Sequence, residues 1–294
     1  MRFLPIAVLF LVLVTELSFG QSFYAIRRER SLIATVGTGT ANYFGELVNP
    51  KSLGKVRPNL VVGAEYYFTD RISTRAELSW FMLAGSDADA NDDRKERNLS
   101  FFSHNFELST TGTISLFPNG GRFYQRPAIN LYGFAGVGLL YFNPKTRYQG
   151  DVVALAPLET EGKSYSRVIP VIPFGLGVKF KYGPFFNIIL EGGYRLTFSD
   201  YLDDVSSKRY PGYPGSTNLS SPLATALSDR RQEYYDKHGI DRTVNPAVGI
   251  RGNPDTNDGY ILFNVKVQYY LPIEVANSQR KLYNQKRRQY RRRN

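Results

Sequence analysis

Over residues 259–271 the chain alternates without a break. Ile261, Phe263, Val265, Val267, Tyr269 and Leu271 share one face of an extended strand, and Leu262, Asn264, Lys266 and Gln268 share the other. At ~3.3 Å per residue the stretch reaches ~43 Å, whereas a tilted strand crosses a bilayer in only ~9–11 residues. A single strand of this kind fits a soluble antiparallel sheet as readily as a membrane barrel. What decides is whether the pattern repeats, and how its copies are joined.

It repeats. Residues 59–68 set Leu60, Val62, Ala64, Tyr66 and Phe68 against Gly63 and Glu65, and residues 72–83 set Ala76, Leu78, Trp80 and Met82 against Arg75, Glu77 and Ser79. In 99–116 Phe102, Phe106 and Leu108 oppose Ser103, Asn105 and Glu107; in 172–182 Phe174, Leu176, Val178 and Phe180 oppose Gly175, Gly177, Lys179 and Lys181. In 186–198 Ile188, Leu190, Tyr194 and Leu196 oppose Asn187, Glu191 and Arg195. Residues 32–44 and 129–142 are strand-like but glycine-rich. With 259–271 these predict eight strands. Connections after the second, fourth and sixth are short; those after the first, third, fifth and seventh are longer, and the last runs over 199–258. Short turns at one end and long loops at the other characterise an outer-membrane barrel with both termini in the periplasm. A soluble sandwich has no reason to sort its loops this way. The expectation is an all-β, eight-stranded antiparallel transmembrane barrel, OmpA-like, over residues 31–272.

What flanks the barrel agrees with export. Residues 1–20 combine Arg2, an apolar run from Leu4 to Val14 and a small-residue site at Ser18-Phe19-Gly20, the pattern of a secretory signal cleaved before Gln21. No cysteine is present, which excludes a lipoprotein acceptor, disulfides and thiolate metal sites. After the signal no apolar run is long enough for a spanning helix. The formal charge of +11 is unevenly placed: Arg280, Lys281, Lys286, Arg287, Arg288, Arg291, Arg292 and Arg293 crowd the tail over 273–294, and the body before them is near balance. Arg27, Arg28 and Arg30 make the segment 21–30 basic too. Such a tail can meet anionic lipid or an acidic protein face; the signal sequence argues against nucleic acid.

The polar strand faces carry Glu65, Glu77, Glu107 and Glu191 against Arg75, Lys179, Lys181, Arg195 and Lys266. Eight strands leave an interior that side chains just fill, and an unpaired buried charge is costly. These charges are therefore expected to pair across the lumen and plug it, leaving no diffusion pore. The alternative reading is a solvated sheet face.

Little in the chain looks catalytic. Ser103-His104 offers a nucleophile and a base in sequence, but adjacent strand residues point to opposite faces, which places His104 outward with Phe102 and Phe106, away from Glu107. His238 falls among charged residues in the long loop. Asp87, Asp89, Asp92 and Asp93 resemble a calcium loop without its bidentate glutamate or fixed glycine, so a solvated acidic loop is expected there. No phosphate-binding glycine loop or metal-spaced histidine pair appears, and neither a cofactor nor a small-molecule substrate is expected.

The block Asp200-Tyr201-Leu202-Asp203-Asp204-Val205-Ser206, following Glu191-Gly192-Gly193-Tyr194-Arg195, is more specific than any composition. With it go Arg97-Asn98-Leu99-Ser100-Phe101, Phe142-Asn143-Pro144, Thr160-Glu161-Gly162 and Ile172-Pro173-Phe174-Gly175. Together these resemble the PorG family of Bacteroidetes outer-membrane proteins, components of the type IX (Por) secretion system. The resemblance covers about 32–206 and the last strand; nothing in 207–258 or the tail takes part. It implies a non-enzymatic barrel that anchors a periplasmic ring, built from a lipoprotein and a soluble partner, to the outer membrane. It also implies relatives outside secretion, so the alternatives are a general envelope-stabilising or adhesive barrel, a small channel, or a lipid-modifying barrel enzyme. On this reading Glu191 and Arg195 pair inside the barrel, Tyr194 and Phe198 sit in an outer aromatic belt, and Asp200, Tyr201, Asp203 and Asp204 crown the long-loop rim, capping the loop or meeting a partner. The ring contact is expected at Arg27, Arg28, Arg30, Arg287, Arg288, Arg291, Arg292 and Arg293, on the periplasmic side.

Overall fold

The computed structural model describes residues 31–48, 57–90, 92–119, 123–213, 219 and 221–273. The signal over 1–20, the basic segment over 21–30 and nearly all of the tail over 273–294 lie outside the described residues.

The strands are β1 (Leu32–Phe44), β2 (Pro58–Tyr67), β3 (Ile72–Ser86), β4 (Ser100–Ser115), β5 (Ile129–Tyr141), β6 (Pro144–Tyr148), β7 (Asp151–Ala154), β8 (Val168–Tyr182), β9 (Phe186–Thr197) and β10 (Gly259–Tyr270). All but β6 and β7 form the wall, each antiparallel to its neighbours in the order β1-β2-β3-β4-β5-β8-β9-β10. β10 then returns to β1, with Val36 opposite Val267, and the cylinder closes. Closure leaves no sheet edge, so wall backbone groups are satisfied without water, which a bilayer demands.

The outer wall is apolar. Val62, Leu108, Val137, Leu176 and Val265 are each more than half exposed, an arrangement that only a lipid surround makes favourable. Aromatic pairs ring the belt at both ends: Tyr66–Phe68 at 5.3 Å and Phe186–Tyr269 at 5.0 Å near the turns, Phe44–Tyr194 at 6.0 Å and Phe174–Tyr194 at 5.9 Å near the loops. These are the interfacial girdles of a transmembrane barrel. The chain is an eight-stranded antiparallel transmembrane β-barrel.

Turns over 68–71, 116–128 and 183–185 lie at one end, with the start of β1 and the end of β10 beside them; Leu271 N–H donates to the Leu32 carbonyl at 2.9 Å. The described residues of the segments 45–57, 87–99, 142–167 and 198–258 gather at the other end. Among the described residues three short α-helices lie there: α1 (Asp92–Lys95), α2 (Pro222–Ser228) and α3 (Arg231–His238). α2 starts where the Ser221 side chain accepts the Ala224 N–H at 3.1 Å, with Pro222 in its first turn. Gly239, left-handed at φ 65°, ends α3.

The interior has two storeys. Toward the turns it is polar. Toward the loops Phe81, Leu83, Phe101, Leu140, Phe142 and Leu262 are buried, with Tyr260 stacked on Phe81 at 4.9 Å. Leu202, Val205 and Leu227 descend onto them from the long loop. Each such side chain removed from water contributes about 1.5–3 kcal/mol, so the loop end is a small hydrophobic core that caps the cylinder.

Glycine makes room where bulky inward side chains must fit. The Tyr132 ring lies across Gly177, where a Cβ would stand 2.4 Å from the ring's Cζ. That passage brings the Tyr132 hydroxyl to Glu191 Oε2 at 2.5 Å.

Several expectations need correction. Lys181 shares the inward parity of Lys179, but it lies at the end of β8, exposed at the turn mouth, where Nζ donates to the Tyr124 carbonyl at 2.7 Å. It belongs to no lumen pair, because the strand has run past the charged storey. β3 extends to Ser86 and β8 begins at Val168, since both strands continue above the belt into the cap. The loop expected over 143–167 contains the β6–β7 hairpin, which extends the β4 edge with Phe102 opposite Lys145.

Candidate functional site

The lumen layer is built by alternation, the wall strands turning their polar residues inward. Lys266 Nζ lies 2.8 Å from Glu77 Oε1 and 2.7 Å from Glu191 Oε1. Arg75 joins the same acids, Nε 3.2 Å from Glu77 Oε2 and Nη1 2.6 Å from Glu191 Oε2. Lys179 Nζ lies 2.7 Å from Glu65 Oε1, and Arg195 Nε 3.3 Å from Glu107 Oε2. Tyr260 donates to Glu107 at 2.7 Å, Ser73 donates to Glu65 at 2.6 Å, and Gln268 also donates to Glu65. Four acids thus meet four bases, all buried: Lys266, Arg75, Glu77 and Glu191 form one cluster, beside the pairs Lys179–Glu65 and Arg195–Glu107. Glu191 and Arg195, four residues apart on β9, pair across the barrel rather than with each other.

At the loop end the blocks Arg97-Asn98-Leu99-Ser100-Phe101, Thr160-Glu161-Gly162 and Asp200–Ser206 converge. The Arg97 fork grips Asp87, Nε to Oδ2 and Nη2 to Oδ1, both at 2.7 Å, and Nη1 reaches the Arg251 carbonyl. Asp87 is therefore a buried anchor rather than part of a solvated acidic loop; the side chains of Asp89, Asp92 and Asp93 lie outside the described residues. Arg251, 1% exposed, donates from Nε to the Ser228 carbonyl at 3.0 Å, from Nη2 to Thr160 Oγ1 at 3.3 Å and from both Nη to the Asp204 carbonyl at 3.3 Å, and it pairs with Glu161. Glu161 also accepts the backbone N–H groups of Ser206 at 3.0 Å and Ser207 at 2.9 Å. Thr160 and Tyr165 donate to Asp204 at 2.5 and 2.6 Å, while Tyr201 stacks on Tyr165 at 4.7 Å. Asp200, Asp203 and Asp204 are buried and Tyr201 is partly so: the crown is folded inward.

The acids of this end are short of cations. The Tyr43 hydroxyl lies 2.7 Å from Asp203 Oδ2 and 2.6 Å from Asp258 Oδ1. One phenol carries one proton, so it donates to one carboxylate and can accept only from a protonated other. Burial pushes both of these aspartates well above the usual carboxylate range. Burial raises Asp200 to about 7, with Glu46 adding to it, and raises Asp204 to about 6 against the pull of Arg251. A raised folded value means that the native state holds the proton more tightly than the open chain. The stabilisation is complete below the unfolded range near ~4 and is lost as pH rises through 6 to 7. In divalent-free buffer the long loop is expected to resist urea-induced opening better at pH 5 than at pH 8, read from corrected hydrogen exchange of 199–258.

His104 points outward and stacks on Trp80 at 5.8 Å, while Ser103 points inward and donates to Asn105 at 2.6 Å; the two do not converge. Exposed His238 sits against Tyr234, with ring centroids 4.1 Å apart. Sequence reasoning missed Arg251 and the cap formed by the described residues of 207–258, including Arg230, which pairs with Glu233 at 2.8 Å and donates to Thr146 Oγ1 at 3.3 Å. Its available signals were the Ser221-Pro222 start and Gly239 stop of helices, and five arginines (Arg209, Arg230, Arg231, Arg242 and Arg251) in a segment otherwise poor in pattern.

No family model matches the chain, and no curated protein matches it either. Among solved structures, the N-terminal barrel domain of Pseudomonas aeruginosa OprF overlays at TM-score 0.36 and 8% identity, covering 82% of this chain and 97% of that one. Neisserial surface protein A overlays at 0.39 and 8%, covering 82% and 97%. Ail, the attachment invasion locus protein of Yersinia pestis, overlays at 0.38 and 11%, covering 82% and 98%. At such values nothing those proteins bind or do passes to this chain.

Proposed function

We propose that this chain is a non-enzymatic structural barrel of the bacterial outer membrane, and that its particular task is to anchor the periplasmic ring of the type IX secretion system. The observation that carries the structural reading is the filled interior, a balanced charge layer below and a packed apolar cap above, which predicts no path for solutes. The secretion role rests on the resemblance of the sequence blocks to PorG. In the outer membrane the turn end would face the periplasm, bringing the basic segments 21–30 and 273–294 to the side where a ring would dock.

The test is an affinity pull-down from gently solubilised outer membranes, using the full-length mature protein beside a chain ending at Asn277. Recovery of the ring lipoprotein with the first and not the second assigns docking to the tail. Recovery with neither, while both migrate as heat-modifiable barrels, removes the secretion role and leaves a general envelope barrel. In planar bilayers the protein is expected to give no stable single-channel steps; regular conductance would overturn the plugged reading.

A further inference from the structure

At the loop end a group of three carboxylates, two of them buried, has no cation assigned to it. Glu46, in the connection after β1, Asp200, at the start of the long loop, and Asp258, at its end, each bring a carboxylate oxygen within 4.8 Å of the other two. Asp200 is only 7% exposed, yet neither of its oxygens has a hydrogen-bond partner among the described residues. Glu46 Oε2 is orphaned in the same way, while its Oε1 accepts the Asn253 N–H at 3.1 Å. Asp258 is held in place by Tyr43 at 2.6 Å and by the Leu202 N–H at 2.9 Å, and each of its oxygens keeps a second lone pair. Arg97, which touches the Glu46 carbonyl at 3.0 Å, already gives its fork to Asp87. Buried acceptors left in this state are expensive.

We propose that Glu46, Asp200 and Asp258 form a binding site for a hard divalent cation of the calcium class, which ties the first loop to both ends of the long loop. The donor set is all oxygen, without nitrogen or sulfur, which suits calcium or magnesium over zinc or copper. Two oxygens each about 2.4 Å from a common calcium ion stand at most about 4.8 Å apart, the limit the three oxygens respect. Calcium accepts irregular shells completed by water or carbonyl oxygen, whereas magnesium demands a near-ideal octahedron. Three ligands from separate segments favour the tolerant ion. Because the ligands bracket residues 201–257, the ion works as a clasp on the cap, and the site stands whether or not the secretion role does.

The experiment is calorimetric titration of calcium chloride into the full-length, chelator-stripped barrel in detergent, with Asp200→Asn, Glu46→Gln and the exposed control Asp255→Asn. One calcium per chain is expected, with Kd in the ~10⁻⁴–10⁻³ M range of extracellular sites. Asp200→Asn and Glu46→Gln should each weaken binding by about tenfold or more, and Asp255→Asn should not. Calcium should also slow chymotrypsin cleavage within 199–258 in the wild type and lose that effect in the two ligand variants. No saturable uptake by the wild type overturns the proposal, because the acids are then held by protons alone. Equal affinity in the ligand variants overturns it as well. If Asp200→Asn fails to give a heat-modifiable barrel, Glu46→Gln, on the more open side of the group, decides.

Discussion

Replacing Lys266 with methionine is expected to destabilise the folded barrel by about 3–5 kcal/mol, read from urea unfolding in lipid vesicles with heat-modifiable migration as the folded signal. Lys266 is fully buried, and its ammonium serves two carboxylates, Glu77 at 2.8 Å and Glu191 at 2.7 Å. Methionine keeps most of the length of the side chain and removes the charge, so both acids fall back on Arg75 alone and one negative charge in the lumen goes uncompensated. The double variant Lys266→Met with Glu77→Gln restores neutrality and should recover more than half of the loss. A single-variant loss below about 1 kcal/mol would mean that water reaches the layer and screens it. A double variant no better than the single would mean that geometry rather than charge balance sets the cost.

That layer was legible in the sequence because it depends only on strand parity. Glu65, Glu77, Glu107 and Glu191 fall on the inward face of their strands, as do Arg75, Lys179, Arg195 and Lys266, and a cylinder of eight strands brings inward residues of equal depth together. Parity says nothing about depth, which is why Lys181, inward by the same count, turned out to lie at the open mouth. The hydrophobic storey was hidden for a related reason. Around Phe81, Leu83, Leu140 and Leu262 both faces of the strands are apolar, and alternation carries no signal when lipid lies on one side and a packed cap on the other. The β6–β7 hairpin had a local mark in Gln149-Gly150, whose φ values of 50° and 94° fit a tight primed turn, but its strands are short and polar. The bonds that hold the cap left no sequence signal beyond its helix start and stop, since they join residues far apart in the chain: Arg97 to Arg251, Arg251 to Glu161, Tyr43 to Asp258.

Arg251 is where the cap is most exposed to a single change. Its guanidinium gathers the Ser228 carbonyl, Thr160, the Asp204 carbonyl and Glu161, tying three other segments to its own where no secondary structure joins them. Arg251→Met leaves the buried Glu161 carboxylate with backbone and hydroxyl donors from Ser206 and Ser207 but no positive charge. Breaking a buried pair from one side costs about 3–5 kcal/mol, and here the cost falls on the cap, because β1 to β10 close on one another without it. Chymotrypsin, whose sites the substitution leaves intact, should then cut within 199–258 about a hundredfold faster or more when cleavage follows the open population, while the barrel core stays heat-modifiable. Arg251→Lys should fall between the two: the charge still meets Glu161, but a single ammonium cannot reach Ser228, Thr160 and Asp204 together as the planar fork does. Equal cleavage of wild type and Arg251→Met would show that the apolar contacts of Leu202, Val205 and Leu227 hold the cap by themselves. Loss of the whole barrel would show that cap and cylinder fold as one unit, with the loop-end core acting as the upper half of the fold.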